Sequence, residues 1–136
     1  MPRNESTYPA DWLRIAEKDY ARVERLLGNR DPEMAGFCLQ QALEKFFKAF
    51  LLSKGWQLRR IHNLDTLLDD AVNYEPALEK FRAACQKITA FYFVERYPLM
   101  TDIGLTEKDV RESWAQVRDL VEKIRTALAK VNKETE

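Results

Sequence analysis

Three polar side chains interrupt an otherwise apolar stretch near the middle of the chain. Gln41, Lys45 and Lys48 lie at positions i, i+4 and i+7, so they share one face of a helix that contains them. Burying a lysine ammonium without a partner is costly. These lysines must therefore reach solvent, pair with carboxylates or meet an anionic ligand. The pattern predicts either a solvated strip or an anion site with these three residues as ligand-binding candidates.

A carboxylate interrupts the apolar stripe of the preceding segment. Asp19 lies between Ala16 and Val23, which fall at helical spacing and are expected to face the core. A charge at such a position requires a partner of opposite sign. We expect Asp19 to form a structural ion pair with Lys45 or Arg96. The alternative is that Asp19 tunes the electrostatics of a pocket.

Two more places in the sequence carry side chains suited to chemistry. His62 comes directly before Asn63, a predicted helix cap, and is either a proton donor at a helix N-terminus or a loop residue bonded to backbone. Arg96 and Tyr97 precede Pro98, where a helix must end. An arginine fork matches a phosphate and a tyrosine ring can stack on a base. The alternative is that Arg96 caps the last helix carbonyls and Tyr97 packs against the bundle end.

Several common kinds of site are absent from the sequence. The chain has four scattered glycines and therefore no glycine-rich phosphate loop. One histidine and two distant cysteines do not form a zinc site at any usual spacing. No Glu-x-x-His pair suggests a di-iron bundle. The sequence therefore predicts no metal and no cofactor.

The charges balance overall but not locally. The chain carries 22 Lys plus Arg against 22 Asp plus Glu. A net charge of zero argues against gripping long nucleic acid through bulk positive charge. The stretch from Lys45 to His62 contains five basic residues and no acid, so it forms a local positive region.

The elements that must position these residues are helices, because apolar residues recur every three or four positions and no stretch alternates as a strand would. We predict an all-α fold, an up-and-down four-helix bundle with one additional short helix. The second helix is apolar around most of its circumference, so it is either central or meets another subunit on one side. The predicted helices span residues 12–27, 32–54, 64–72, 76–96 and 107–131.

With 136 residues, the chain is expected to form one domain over residues 1–136, with an ordered core of about 10–131. Cys38 and Cys85 lie among apolar neighbours and are predicted to be free buried thiols. No apolar stretch approaches the roughly 20 residues needed to cross a bilayer. The first residues lack the apolar segment of a signal peptide. We therefore expect a cytoplasmic protein with no membrane association.

These residues, taken in their order along the chain, resemble a HEPN domain, the small helical domain named from higher eukaryotes and prokaryotes nucleotide-binding. The similarity covers about residues 10–130, and an acidic residue in the first helix, here Asp19, is usual in it. The matching segments are Gln41-Ala42-Leu43-Glu44-Lys45 with Lys48-Ala49, Gly55, His62-Asn63-Leu64 with Leu67-Leu68, and Arg96-Tyr97-Pro98.

The resemblance implies an up-and-down helical bundle that is usually a homodimer. Many such proteins are encoded beside a minimal nucleotidyltransferase, and the pair resembles a toxin–antitoxin module. Some members are metal-independent ribonucleases that use an arginine followed, after four to six residues, by a histidine. No histidine follows Arg96 at that spacing, and Arg59 and Arg60 lie too close to His62 to form the motif.

Three hypotheses follow. The first is a non-catalytic dimer that presents Lys45, Lys48, His62, Arg96 and Tyr97 to a nucleotide or to the substrate of a nucleotidyltransferase. The second is a divergent ribonuclease, with His62 as general acid or base and Arg96 stabilising phosphate charge. The third is a dimeric interaction protein without a ligand. The missing motif favours a protein that is not an enzyme, with a nucleotide or RNA as the candidate ligand.

Overall fold

A computed structural model of the protein describes residues 5–96 and 105–135, with side chains at all of these positions except 93–96 and 131–135. The fold is all-α, as predicted, and the described residues contain no strand. In chain order the elements are α1 (Pro9–Gly28), α2 (Pro32–Ser53), α3 (Leu64–Val72), a 3₁₀ helix (Pro76–Phe81), α4 (Arg82–Arg96), α5 (Glu107–Gln116) and α6 (Arg118–Thr135).

Three helices begin at the residue that the sequence predicts, and each of them has a side-chain cap. The Asp31 side chain accepts a hydrogen bond from the backbone N–H of Met34 and so caps α2, and Asn63 does the same for α3. Thr106 and Asp109 form a reciprocal capping box at the start of α5. Each cap satisfies backbone N–H groups that lack a partner within the helix. These predicted helix starts are confirmed.

Helix α2 is the centre of the bundle. It contacts α1, α3, α4, α5 and α6, and 14 of its 22 residues are buried. This position explains why apolar residues cover most of its circumference. The three polar residues Gln40, Glu44 and Lys48 are buried on it as well. Because buried charges require partners, Glu44 and Lys48 must each be paired.

Several helix boundaries differ from the prediction, and the first is the start of α1 at Pro9, three residues before the predicted start. The fourth helix does not begin as an α-helix at Pro76, because residues 76–81 form a 3₁₀ helix and the α-helix starts at Arg82. The three-residue step from Leu78 to Phe81 fits either geometry, so the spacing could not separate them. The last helix is also not continuous.

Val117, with φ −100° and ψ 4°, separates α5 from α6. No glycine or proline marks the interruption. Val117 N–H still donates to the Ser113 carbonyl, and Val121 N–H donates to the Val117 carbonyl. The apolar stripe therefore continues through the interruption, and the sequence pattern alone showed one helix.

The two cysteines are free and buried, as predicted. Burial raises the pKa of the Cys85 thiol to about 12, because a thiolate is poorly solvated there. None of the helices in the described ranges is long and apolar enough to cross a membrane.

Candidate functional site

The first group of polar residues surrounds Asp19 between α1 and α2. Asp19 Oδ1 accepts a hydrogen bond from Arg22 Nη1 at 2.8 Å, and Oδ2 accepts one from Lys45 Nζ at 3.1 Å. Lys45 Nζ also donates to Gln41 Oε1 at 3.0 Å. Only 10% of the Asp19 side chain is exposed. Lys45, one of the two partners predicted for Asp19, therefore forms an ion pair with it. The side chain of Arg96, the other predicted partner, lies outside the described residues.

This group lies at one side of a cleft of about 580 Å³ formed by the second half of α1 and the first half of α2. Among the described lining residues, the cations are Arg22, Arg25 and Lys45, and the one carboxylate is that of Asp19. Three cations against one carboxylate leave two positive charges in excess. The remaining lining residues are Leu26, Asn29, Met34, Phe37, Cys38 and Gln41.

The cleft combines an exposed cation, Arg25, with an aromatic surface. Arg25 is exposed, and no side chain in the described ranges forms an ion pair with it. Phe37 stacks on Tyr92 of α4, with ring centroids 5.8 Å apart and an interplanar angle of 24°. Burial and then the nearby Asp19 carboxylate raise the pKa of the Cys38 thiol. The cleft thus offers a cation for an anion beside an apolar aromatic wall.

A second group of polar residues surrounds Glu44, which lies between Gln41 and Lys45 in the sequence of α2. Glu44 Oε2 pairs with Lys48 Nζ at 3.2 Å, and Glu44 Oε1 lies 3.1 Å from His62 Nδ1. Both charged side chains are buried, at 5% and 4% exposure. The Trp12 ring lies 5.2 Å from Lys48 Nζ. Gln40 Nε2 donates to the His62 carbonyl at 3.0 Å, so the loop before α3 is fixed to α2.

The structure thus places the predicted site residues whose side chains it describes in two separate groups. Asp19, Gln41 and Lys45 line the cleft, whereas Lys48 and His62 meet at Glu44. Gln41 Nε2 donates to Gln40 Oε1 at 2.7 Å and connects the two groups. Arg96 ends α4, but its side chain and all of Tyr97 lie outside the described residues.

Sequence reasoning missed residues that complete both groups. Arg22 lies three residues after Asp19 and Glu44 lies four before Lys48, so helical spacing could have found both ion pairs. Arg25 carried no such signal, because its place at the cleft depends on how α1 packs against α2.

A larger cleft lies between the end of α2, the 3₁₀ helix and α6, with a volume of about 770 Å³. It holds the carboxylates of Glu75, Asp119 and Glu122 among four lysines, so its charges are mixed. In residues 5–96 and 105–135, no group of three or more His, Cys, Asp or Glu side chains is placed to hold a metal ion.

Comparison with known proteins agrees with this architecture. The family model of the HEPN domain matches residues 9–127. The crystal structure of TT1696 from Thermus thermophilus is similar, with 26% identity, a TM-score of 0.74 and coverage of 90% of this chain and 97% of that chain. ST0689, an archaeal HEPN homologue, has 23% identity, a TM-score of 0.64 and coverage of 95% and 98%, and its likeness shows the fold alone. No curated protein matches the chain at a significant level. Because the family match spans most of its length, the chain belongs to the HEPN domain family.

Proposed function

We propose that this protein is a non-catalytic HEPN dimer that binds a nucleotide in the cleft between α1 and α2. The observation that carries the proposal is Arg25, which forms no ion pair with any described side chain and lies in a cleft whose described lining has excess positive charge and an aromatic wall. A guanidinium group binds phosphate oxygens through a planar fork. Phe37 supplies a ring against which a base can stack. The volume of about 580 Å³ lies in the usual range for small-ligand clefts.

The structure changes which cations this proposal uses. Lys48 is buried and neutralised by Glu44, so we leave it out of the ligand site. Lys45 lines the cleft and keeps its proposed role. Tyr92 of α4 stacks on Phe37, and Arg96 lies one turn after Tyr92 in the same helix. Arg96 and Tyr97 stay predictions as further ligand residues, because the Arg96 side chain and Tyr97 lie outside the described residues.

The proposed partner is a minimal nucleotidyltransferase, and the pair would act as a toxin–antitoxin module. Membership of the HEPN family supports this role, since many of its members are encoded beside such an enzyme. In this arrangement the HEPN chain would bind the nucleotide or the substrate on which the partner acts.

Calorimetric titration with the four ribonucleoside 5′-monophosphates tests the nucleotide site. We expect micromolar affinity for at least one of them, and a loss on the order of tenfold in Arg25→Ala, because a charge-assisted hydrogen bond contributes about 1.5–3 kcal/mol. Lys45→Ala should also weaken binding.

Arg14→Ala is the matched control, because Arg14 lies on the same helix with 75% of its side chain exposed and outside the cleft. It should bind as the unaltered protein does. Equal affinities for Arg25→Ala and Arg14→Ala would contradict the site. Absence of binding to any nucleotide would favour the third hypothesis, an interaction protein without a ligand.

A second candidate function, ribonuclease activity, is favoured by one contact. The buried Glu44 carboxylate holds Nδ1 of His62, whose side chain is 68% exposed. A carboxylate that orients a histidine in this way is a common arrangement for general acid–base chemistry. Arg59 and Arg60 precede it in the same loop and are exposed. We propose that this loop is where an RNA phosphodiester would be attacked if the protein cleaves RNA.

Cleavage of a labelled RNA by the purified protein tests the second candidate. His62→Ala should reduce the rate by about 100-fold or more, the usual contribution of a general acid or base. Gln57→Ala, an exposed change in the same loop, should leave the rate unchanged. Cleavage that persists in His62→Ala would rule out this mechanism.

A further inference from the structure

We infer that Asp19 is an internal carboxylate that competes with the phosphate of the ligand for the cations of the α1–α2 cleft. The inference rests on the proposed nucleotide site and concerns how tightly that site binds. In the structure Asp19 holds two of the three cations that line the cleft, Arg22 and Lys45.

The hydrogen bonds of Lys45 show how little of its donor capacity is left. Its ammonium has three N–H groups, and two of them are directed to Asp19 Oδ2 and Gln41 Oε1. Arg22 directs one nitrogen of its fork to Asp19 Oδ1. A phosphate that enters the cleft must therefore share Arg22 and Lys45 with the Asp19 carboxylate, to which both already donate hydrogen bonds.

The burial of Asp19 strengthens the electrostatic effect of its charge on a ligand in the cleft. Only 10% of the Asp19 side chain is exposed, so solvent screens its field weakly. A phosphate bound by the same cations would lie about two hydrogen-bond lengths from the Asp19 carboxylate, where like charges repel. The carboxylate thus lowers the affinity of the cleft for anions while it holds Arg22 and Lys45 in place.

Substitution of Asp19 with asparagine separates charge from shape, because the amide keeps an oxygen acceptor and the side-chain volume. We expect Asp19→Asn to raise the affinity for adenosine 5′-monophosphate and for inorganic phosphate on the order of tenfold, since one nearby negative charge is removed. The affinity for adenosine, which has no phosphate, should not change. Titration calorimetry measures all three ligands.

Two control variants isolate the effect. Glu24→Gln removes an acid that is exposed on the same helix and does not line the cleft, and it should raise phosphate affinity by less than twofold, because solvent screens exposed charges. Asp19→Glu keeps the charge and should retain the unaltered affinity. If Asp19→Asn does not fold by circular dichroism, the pair Lys45→Gln and Asp19→Asn/Lys45→Gln supplies the same comparison without an unpaired lysine.

The outcomes separate this inference from the proposed site. Weaker or unchanged phosphate binding in Asp19→Asn, while Arg25→Ala still weakens binding on the order of tenfold, would overturn the competition and leave the nucleotide site intact. An equal gain in Glu24→Gln would also overturn it, because net charge alone would then explain the change. If Arg25→Ala binds as tightly as the unaltered protein, the proposed site itself is wrong.

Discussion

Replacing Glu44 with alanine is expected to lower the free energy of unfolding by about 3–5 kcal/mol, the usual cost of leaving one member of a buried ion pair without its partner. Lys48 is 4% exposed and its Nζ lies 3.2 Å from Glu44 Oε2. Once the carboxylate is gone, the described residues leave the ammonium only the Trp12 ring, 5.2 Å away. The change also removes the carboxylate that His62 contacts. Urea unfolding monitored by circular dichroism measures the loss.

A surface pair of the same residue types is the matched control. Lys87 and Glu112 are 4.0 Å apart and about half exposed, so Glu112→Ala should change stability by less than about 1 kcal/mol. The double variant Glu44→Leu/Lys48→Met removes both buried charges and should recover most of the loss. If Glu44→Ala costs no more than Glu112→Ala, the buried pair does not stabilise the bundle as argued.

Replacing Phe46 with alanine is expected to destabilise the protein by about 3–5 kcal/mol through loss of packing and formation of a cavity. Phe46 is fully buried on the central helix. Its ring meets Tyr20 of α1 edge-on, with centroids 5.8 Å apart and planes at 83°. The Arg125 guanidinium of α6 lies 5.8 Å from the same ring. Phe46 therefore connects three helices, and thermal or urea unfolding should show the loss as one cooperative transition.

The control for Phe46 is an aromatic residue outside the core. Tyr8 is 70% exposed, so Tyr8→Ala should stay within about 0.5 kcal/mol. Phe46→Leu retains much of the apolar volume and should cost clearly less than Phe46→Ala. Similar stabilities for Phe46→Ala and Phe46→Leu would show that the neighbouring helices close the cavity.

The helices were predictable because their signals are local. A cap acts on backbone groups within three residues, so Asp31, Asn63 and Thr106 could be recognised without knowing the fold. The apolar circumference of α2 predicted either a central position or contact with another subunit, and the structure shows the helix at the centre of the bundle. The 3₁₀ helix and the interruption at Val117 were missed because a step of three residues fits both helix types and an apolar stripe passes through a local distortion.

The sequence alone determined that polar side chains lie on a helix too apolar to leave them unpartnered. It supplied Gln41, Lys45, Lys48 and Asp19 as the residues of interest. Spacing along α2 could have paired Lys48 with Glu44, which lies four residues earlier. Spacing cannot show the partner of Lys45, because that partner comes from another helix. The tertiary structure decided this by pairing Lys45 with Asp19.

Only the packing of α1 on α2 placed Arg25 in the cleft without a partner among the described residues. Ion pairing depends on distances of a few ångström between side chains, and such distances between elements are fixed by tertiary contacts. The sequence therefore determined which residues carry charge into the bundle, and the fold determined which of those charges are already neutralised.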